Sequence, residues 1–320
     1  MHIDPHLFSD EAVSDETRAF NTELQKMLSM QPNTSDFTPD QIRTARREGK
    51  SWLGPVVHSD RARTITINGP GGDLDLRVID AAEPDGVYLH IHGGGWVLGA
   101  ADLSDIGNEA MADSANVTVV SVDYRLAPEH PYPAGVEDCV AAATWLVENA
   151  ASEFATDTLT IGGESAGANL AAATLLEIRN EVGFTGWVAA NLAYGPYLPH
   201  GTPSVRHWDR EGLILEPDTM KWFGEHYVGD QNIAMDDPAF SPLYGKLHDM
   251  PPALFSIGTW DPLVDDTLFM ATRWLAAGNT SELAIYPGGV HAFDAFPIDI
   301  GTTARERMHR FIREAVTSEK

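Results

Sequence analysis

Between residues 87 and 286, short β-branched apolar runs alternate with longer stretches whose apolar positions recur every three or four residues. The first pattern suits strands and the second suits amphipathic helices. Strands are therefore predicted at 87–91, 117–122, 159–161, 188–192, 253–257 and 283–286. Helices are predicted at 104–115, 136–150, 168–179 and 264–277, with a last one at 303–316. A strand followed by a crossover helix, repeated along the chain, is the pattern of a parallel sheet with helices on its faces, so the fold class is α/β.

Two earlier β-like segments, 62–67 and 74–79, flank Asn68-Gly69-Pro70-Gly71-Gly72. Such a turn-rich link predicts an antiparallel hairpin that extends one edge of the sheet. Two regions break the alternation: residues 1–50, polar with helical stretches, and residues 197–237, rich in aromatics and loop formers. They are expected to form a cap over one catalytic domain built from 51–196 and 238–320. No repeat of roughly 20 to 50 residues and no linker divides the chain further.

Charge narrows the classes of partner. Across 320 residues, 21 Lys plus Arg stand against 47 Asp plus Glu, a formal net charge of −26. That field repels phosphate backbones and anionic lipid, so neither nucleic acid nor a membrane is an expected partner. Solubility, for instance in a salty setting, explains the acidity more simply than substrate steering does. Cys139 is the single cysteine, which excludes an internal disulfide or a Cys-x-x-Cys site, and its place in the apolar pattern of 136–147 predicts core packing. The N-terminal residues Met1 to His6 show no basic segment ahead of an apolar one, and no stretch approaches the roughly 18 apolar residues of a membrane span, so the cytoplasm is the expected location. Sequons at Asn33, Asn116 and Asn279 are read as chance matches.

Gly163-Glu164-Ser165-Ala166-Gly167 lies between a predicted strand and a predicted helix, which is the context of a nucleophile elbow. A serine in so cramped a turn needs neighbours without side chains two residues away on either side, and Gly163 and Gly167 meet that demand. The pentapeptide alone is weak, since glycines flank serines in ordinary loops as well. His92-Gly93-Gly94-Gly95-Trp96 strengthens it: the run follows the 87–91 strand, where glycines let backbone amides approach a substrate carbonyl oxygen. A dinucleotide loop is disfavoured there, because the spacing is not G-x-G-x-x-G and no P-loop lysine follows.

In this arrangement the acid and then the histidine follow the serine along the chain, each on a loop beyond a strand end. His291, after Pro287-Gly288-Gly289, is the candidate general base. His309 falls off the apolar stripe of the last helix and is expected to be a solvated surface residue. Asp261 is the candidate acid, with Asp265 and Asp266 as rivals one turn into the next helix, where a carboxylate is commonly a dipole partner. Asp294 stands too close to His291 to hold its far ring nitrogen easily. A metal cluster of Asp261, Asp265 and Asp266 lacks any accompanying histidine pattern, so no metal is expected.

Taken with Tyr124-Arg125-Leu126-Ala127-Pro128-Glu129-His130-Pro131, Asp261-Pro262-Leu263 and His291-Ala292-Phe293, these motifs closely resemble the hormone-sensitive lipase family of α/β hydrolases, nearest its bacterial esterase branch. The resemblance implies an α/β-hydrolase fold, a mostly parallel central sheet flanked by helices with a helical cap. It also implies a serine carboxylesterase acting on short to medium acyl chains, with no cofactor. It makes Ser165, Asp261 and His291 the triad and the amides of Gly94, Gly95 and Ala166 the oxyanion hole, with His92 and Gly93 supporting that loop. Glu164, Gly135 and Ala292 depart from the commonest family pattern. Trp96, Trp208 and Trp260, with Trp222 and Phe223, are candidate substrate walls, ordinary core packing being the alternative at each. Asp123 and Glu129 are read as structural groups that fix turns.

The expected partner is a small-molecule ester, with homodimerisation left open. An amidase or peptidase using the same triad is the second enzymatic reading. A non-catalytic small-molecule receptor is the third, because plant gibberellin receptors share the fold after losing the histidine, whereas His291 is present here.

Overall fold

The computed structural model of the chain describes residues 1–318. Among these, eight strands form one sheet: β1 (Ala62–Gly69), β2 (Gly72–Ile79), β3 (Gly86–Ile91), β4 (Val117–Val122), β5 (Leu159–Glu164), β6 (Trp187–Ala193), β7 (Ala253–Trp260) and β8 (Ser281–Val290). Their order is β1-β2-β4-β3-β5-β6-β7-β8. β1 pairs antiparallel with β2, and β2 antiparallel with β4, so the predicted hairpin does extend one edge. Every pairing from β4 through β8 is parallel.

The helices are α1 (Asp15–Leu28), α2 (Pro39–Arg47), α3 (Asp105–Ala115), α4 (Ala134–Phe154), α5 (Ala166–Glu177), the short α6 (Pro203–Arg206), α7 (Pro217–Val228), α8 (Val264–Ala276) and α9 (Asp299–Ser318). Side chains alternate across a strand. Val87, Leu89 and Ile91 of β3 therefore lie on the side of α4 and α5, in one apolar cluster with Cys139, Leu146 and Leu170, while Tyr88 lies on the other side in a cluster with Met111 of α3 and Ile312 of α9. Every residue of β3 and β4 is buried, the polar His90, Thr118 and Ser121 included, as in a strand covered on both faces.

Strand ends differ from the sequence expectation wherever glycine intervenes. The segment Pro287-Gly288-Gly289, expected to be a loop, continues β8 up to Val290. Its glycines are there for close approach: a Cβ on Gly258 of β7 would collide with the Gly289 backbone, and Gly288 takes φ +74. Likewise β5 runs on through Gly162 and Gly163. Glycine reads as a breaker in sequence, yet here it lets neighbouring backbones touch.

Parts of residues 1–50 and 197–237, among them Ile42, Arg43, Leu215 and Phe223, lie near Ser165 beyond the strand ends, whereas Met1 to Leu7 lie beside the N-terminal half of β8. Asn21 of α1 donates to the Gly288 carbonyl at 2.8 Å. Arg43 of α2 donates through Nε to the Val97 carbonyl at 2.8 Å, through Nη2 to the Ala127 carbonyl, and pairs with Glu129 at 2.9 Å. Asp265 and Asp266 secure the segment after β6: Asp265 accepts from the Ser204 amide, and buried Asp266 accepts from the Leu198 amide at 2.8 Å and the Thr202 hydroxyl at 2.7 Å.

Burial raises the Asp266 carboxyl from its ordinary 3.8 to about 7, against those two hydrogen bonds and with help from Asp261 and Asp265. A carboxyl raised in the folded state holds its proton where the unfolded chain has lost it. Its stabilising contribution is therefore complete below about pH 4 and is lost as pH rises through about 7. Denaturant melts at pH 5 and pH 8 are expected to show unfolding free energy falling by about 2 to 3 kcal/mol more in the wild type than in Asp266→Asn. Equal falls would contradict the assignment.

Candidate active site

The strands on either side of β3 are β4 and β5, so crossovers diverge from β3 and open a crevice at the C-terminal ends of β3 and β5. Ser165 stands at the end of β5 with φ 56 and ψ −125, and α5 starts at the next residue. Few non-glycine residues adopt such a conformation. The turn is tight because the last carbonyl of β3 fills it: a Cβ on either Gly163 or Gly167 would collide with the Ile91 oxygen.

The run 92–95 leaves β3 directly opposite this turn. Gly93 donates its amide to Glu164 Oε1 at 2.8 Å, and its carbonyl accepts from His92 Nδ1 at 2.8 Å. The Gly94 carbonyl accepts from the amides of Val97 and Leu98. In a trans peptide the N–H points opposite to the C=O. Holding the Gly93 and Gly94 carbonyls away from Ser165 therefore turns the Gly94 and Gly95 amides the other way. Neither amide has an acceptor among the described residues. Ala166 opens α5, where an N–H has no intrahelical partner. Burial lowers the basicity of His92, whose ring stacks on Tyr124 at 4.2 Å, so it braces the loop as a neutral imidazole.

Trp96 closes the loop with φ +62, a conformation rare for an aromatic residue. It is held there by Tyr227 of α7, stacked at 4.5 Å, and by Asn169 of α5, which accepts from its indole N–H at 3.3 Å. Phe223 of α7 covers Gly95 so closely that a Cβ there would collide with its ring.

β8 delivers His291 to the same place. Its Nε2 lies 2.9 Å from Ser165 Oγ, and its Nδ1 lies 2.8 Å from Asp261 Oδ2. Asp261, fully buried, also accepts the Leu263 amide at 2.9 Å through its other oxygen. The carboxylate therefore has a fixed orientation before it meets the ring. Of the acids weighed, Asp261 reaches His291. Asp265 and Asp266 face residues 198–204, and Asp294 accepts from the Tyr194 hydroxyl at 2.6 Å while burial pushes its carboxyl up.

Ala292 sits at φ +57, which explains why glycine is the commoner residue after such a histidine. Relief of that strain, about 1 kcal/mol after glycine's greater unfolded-state entropy is deducted, is expected from Ala292→Gly. Thermal melts check this: a lower Tm would mean that the αL backbone costs nothing here.

A cavity of about 1140 Å³ opens above Ser165 and His291. Gly93, Gly94, Gly95, Trp96, Tyr194, Leu215, Phe223 and Ala292 are among its walls. Trp96 and Phe223 line this cavity, whereas Trp208 and Trp260, also expected as walls, do not. Trp260 carries the Arg210 guanidinium at 4.3 Å, and both tryptophans pack against the apolar cluster under α1 and β8. Trp222 is likewise off the cavity and packs on His226. His309 is another correction: burial and nearby Arg305 lower its pKa to about 4, so it is a half-buried neutral ring. Asp123 accepts the Ala101 amide and Glu129 pairs with Arg43.

Three residues escaped the sequence reading. Asn169 could have been found as the lone polar side chain in the alanine-rich stretch 166–173. Tyr194, whose ring meets His291 edge-on at 5.0 Å, and His90, which reaches Glu164 across the sheet, gave no local signal.

A switch point with a strained serine on one strand end and free amides on the next defines an α/β hydrolase. A family model for the α/β hydrolase fold matches residues 88–295. The chain is 33% identical over 263 residues to the carboxylic ester hydrolase LipN of Mycobacterium tuberculosis, covering 78% of this chain and 69% of that protein. It is similar to the hyperthermophilic esterase of the archaeon Pyrobaculum calidifontis, with a TM-score of 0.80 and 30% identity over 91% of this chain and 97% of that one. A hormone-sensitive lipase from a metagenome library gives a TM-score of 0.80 at 26% identity, over 94% of this chain and 98% of the other. The chain belongs to the hormone-sensitive lipase family of α/β hydrolases.

Proposed function

We propose that the protein is a serine carboxylesterase in which Ser165, His291 and Asp261 carry the chemistry. The observation behind this reading is the unbroken chain Ser165 Oγ, His291 Nε2, His291 Nδ1, Asp261 Oδ2, with spacings of 2.9 and 2.8 Å, beside unengaged backbone amides. Ser165 Oγ attacks the ester carbonyl carbon as its proton passes to His291 Nε2. Asp261 keeps the other ring proton on Nδ1 and stabilises the imidazolium. The carbonyl oxygen, now negative, meets the amides of Gly94, Gly95 and Ala166, each contributing about 3 kcal/mol at the transition state. Collapse expels the alcohol, which takes the Nε2 proton. Water then repeats the sequence on the acyl-enzyme and releases the acid.

Residues 1–50 and 197–237 act as the cap. Leu215, Met220 and Phe223 give one end of the cavity apolar walls suited to a short or medium acyl chain. Among the described residues, no helix is long and apolar enough to cross a membrane. Hydrolysis of p-nitrophenyl esters from acetate to dodecanoate is expected to peak at short or medium chains, and an organophosphate is expected to leave one adduct on Ser165. Absence of both turnover and adduct would refute the reading, and faster cleavage of a matched anilide would favour an amidase.

A further inference from the structure

Behind Ser165 lies a second histidine–carboxylate couple that the hydrolytic sequence above does not use. His90 projects from β3 toward the face covered by α3, and its Nδ1 lies 2.8 Å from Ser121 Oγ of β4 and 3.2 Å from Asn108 Nδ2 of α3. An amide nitrogen can only donate, so Nδ1 is an acceptor and the ring proton sits on Nε2. That proton points at Glu164 Oε2, 3.0 Å away. The other oxygen of Glu164, Oε1, takes the Gly93 amide at 2.8 Å. The path therefore runs from the buried centre of the sheet, through the residue just before the nucleophile, to the first peptide of the loop that carries the Gly94 and Gly95 amides.

Resting on the esterase reading, we propose that His90 and Glu164 are positioning residues that set the oxyanion loop at its working distance from Ser165. Three features carry the assignment. Ser121 and His90 are buried and cannot swing to other partners. Glu164 spends each oxygen on a different element, so moving it moves the loop against the nucleophile turn. Gly93 packs on that turn with a Cβ position 2.9 Å from the Glu164 carbonyl and 3.3 Å from Ser165 Cβ, leaving the Gly93 amide as the point where a small shift is transmitted. Burial pushes the Glu164 carboxyl up, but the His90 ring and the Gly93 amide outweigh it and hold the group below the usual carboxylate range, as the acceptor role requires. Glutamate has the reach to join both partners, and aspartate is one methylene shorter.

A positioning role predicts a loss confined to the charged intermediate. Glu164→Ala is expected to lower kcat on p-nitrophenyl butyrate about 10- to 100-fold with KM within about threefold, since a misplacement of about 1 Å costs up to about 100-fold. Binding of a trifluoromethyl ketone, which forms a tetrahedral adduct, should weaken by the same factor as kcat/KM, while inhibition by a non-reactive alcohol stays unchanged. Glu164→Gln, which keeps an acceptor for Gly93, should recover part of kcat, and Glu164→Asp should recover less. His90→Gln, which preserves a donor for Glu164, stands in if His90→Ala does not fold. Combined with Glu164→Ala, either should cost no more than Glu164→Ala alone, because His90 acts through Glu164.

Additive losses, a kcat unchanged within twofold, or equal weakening of the ketone and the alcohol would each overturn the proposal. Wild-type ester turnover, measured alongside, distinguishes those results from a failure of the esterase reading itself.

Discussion

Ser165→Ala is expected to lower ester turnover by about 10⁶-fold while leaving the fold intact. Ser165 Oγ makes one hydrogen bond, to His291, whereas the unusual backbone of the residue is held by other groups: its amide donates to the Ala193 carbonyl at 3.0 Å, and its carbonyl accepts from Ala168 and Asn169. Alanine can occupy that backbone as well as serine can. The loss should therefore appear in kcat, with an unchanged circular dichroism spectrum and Tm, and the organophosphate adduct should vanish. A residual rate of about 10³- to 10⁴-fold over water is expected from the amides and the binding cavity. A variant retaining more than a hundredth of wild-type turnover would place the nucleophile elsewhere.

Asp261→Asn should cost about 10⁴-fold in kcat at neutral pH, through the tautomer rather than through distance. Asp261 Oδ1 already accepts the Leu263 amide, so asparagine would keep its oxygen there and turn its NH₂ toward His291 Nδ1. Two donors cannot share that contact. The ring would carry its proton on Nε2 instead, facing a hydroxyl whose proton it must accept. Substrate affinity should stay within a few-fold, because Asp261 is sealed from the cavity. Steady-state kinetics and the organophosphate labelling rate check this, and a loss under tenfold would show that the histidine is oriented by something else.

Much of this arrangement was legible in the sequence because it is local. The Gly-x-Ser-x-Gly run declares a steric problem, and the structure supplies the other party, the Ile91 carbonyl. Chain order placed Asp261 and His291 after Ser165, and their meeting depends on strand ends that parallel pairing brings to one side. What escaped was what spans strands. Glu164 could be seen only as an unusual residue, since its partner His90 comes 74 positions earlier and is joined to it by the β3–β5 pairing. Tryptophans were overvalued for the opposite reason. Their size suggested pocket walls, but Trp208 and Trp260 fill space beneath the N-terminal helices, and nothing in composition separates a wall from a filler.

The aromatic ring laid on Gly95 has a cost and a use. With Phe223 resting where any larger residue would need to be, one wall of the cavity and the peptide that carries the Gly95 amide are touching parts. The same ring helps to bury Gly95, so a smaller side chain at position 223 would leave that peptide open to the cavity and its water.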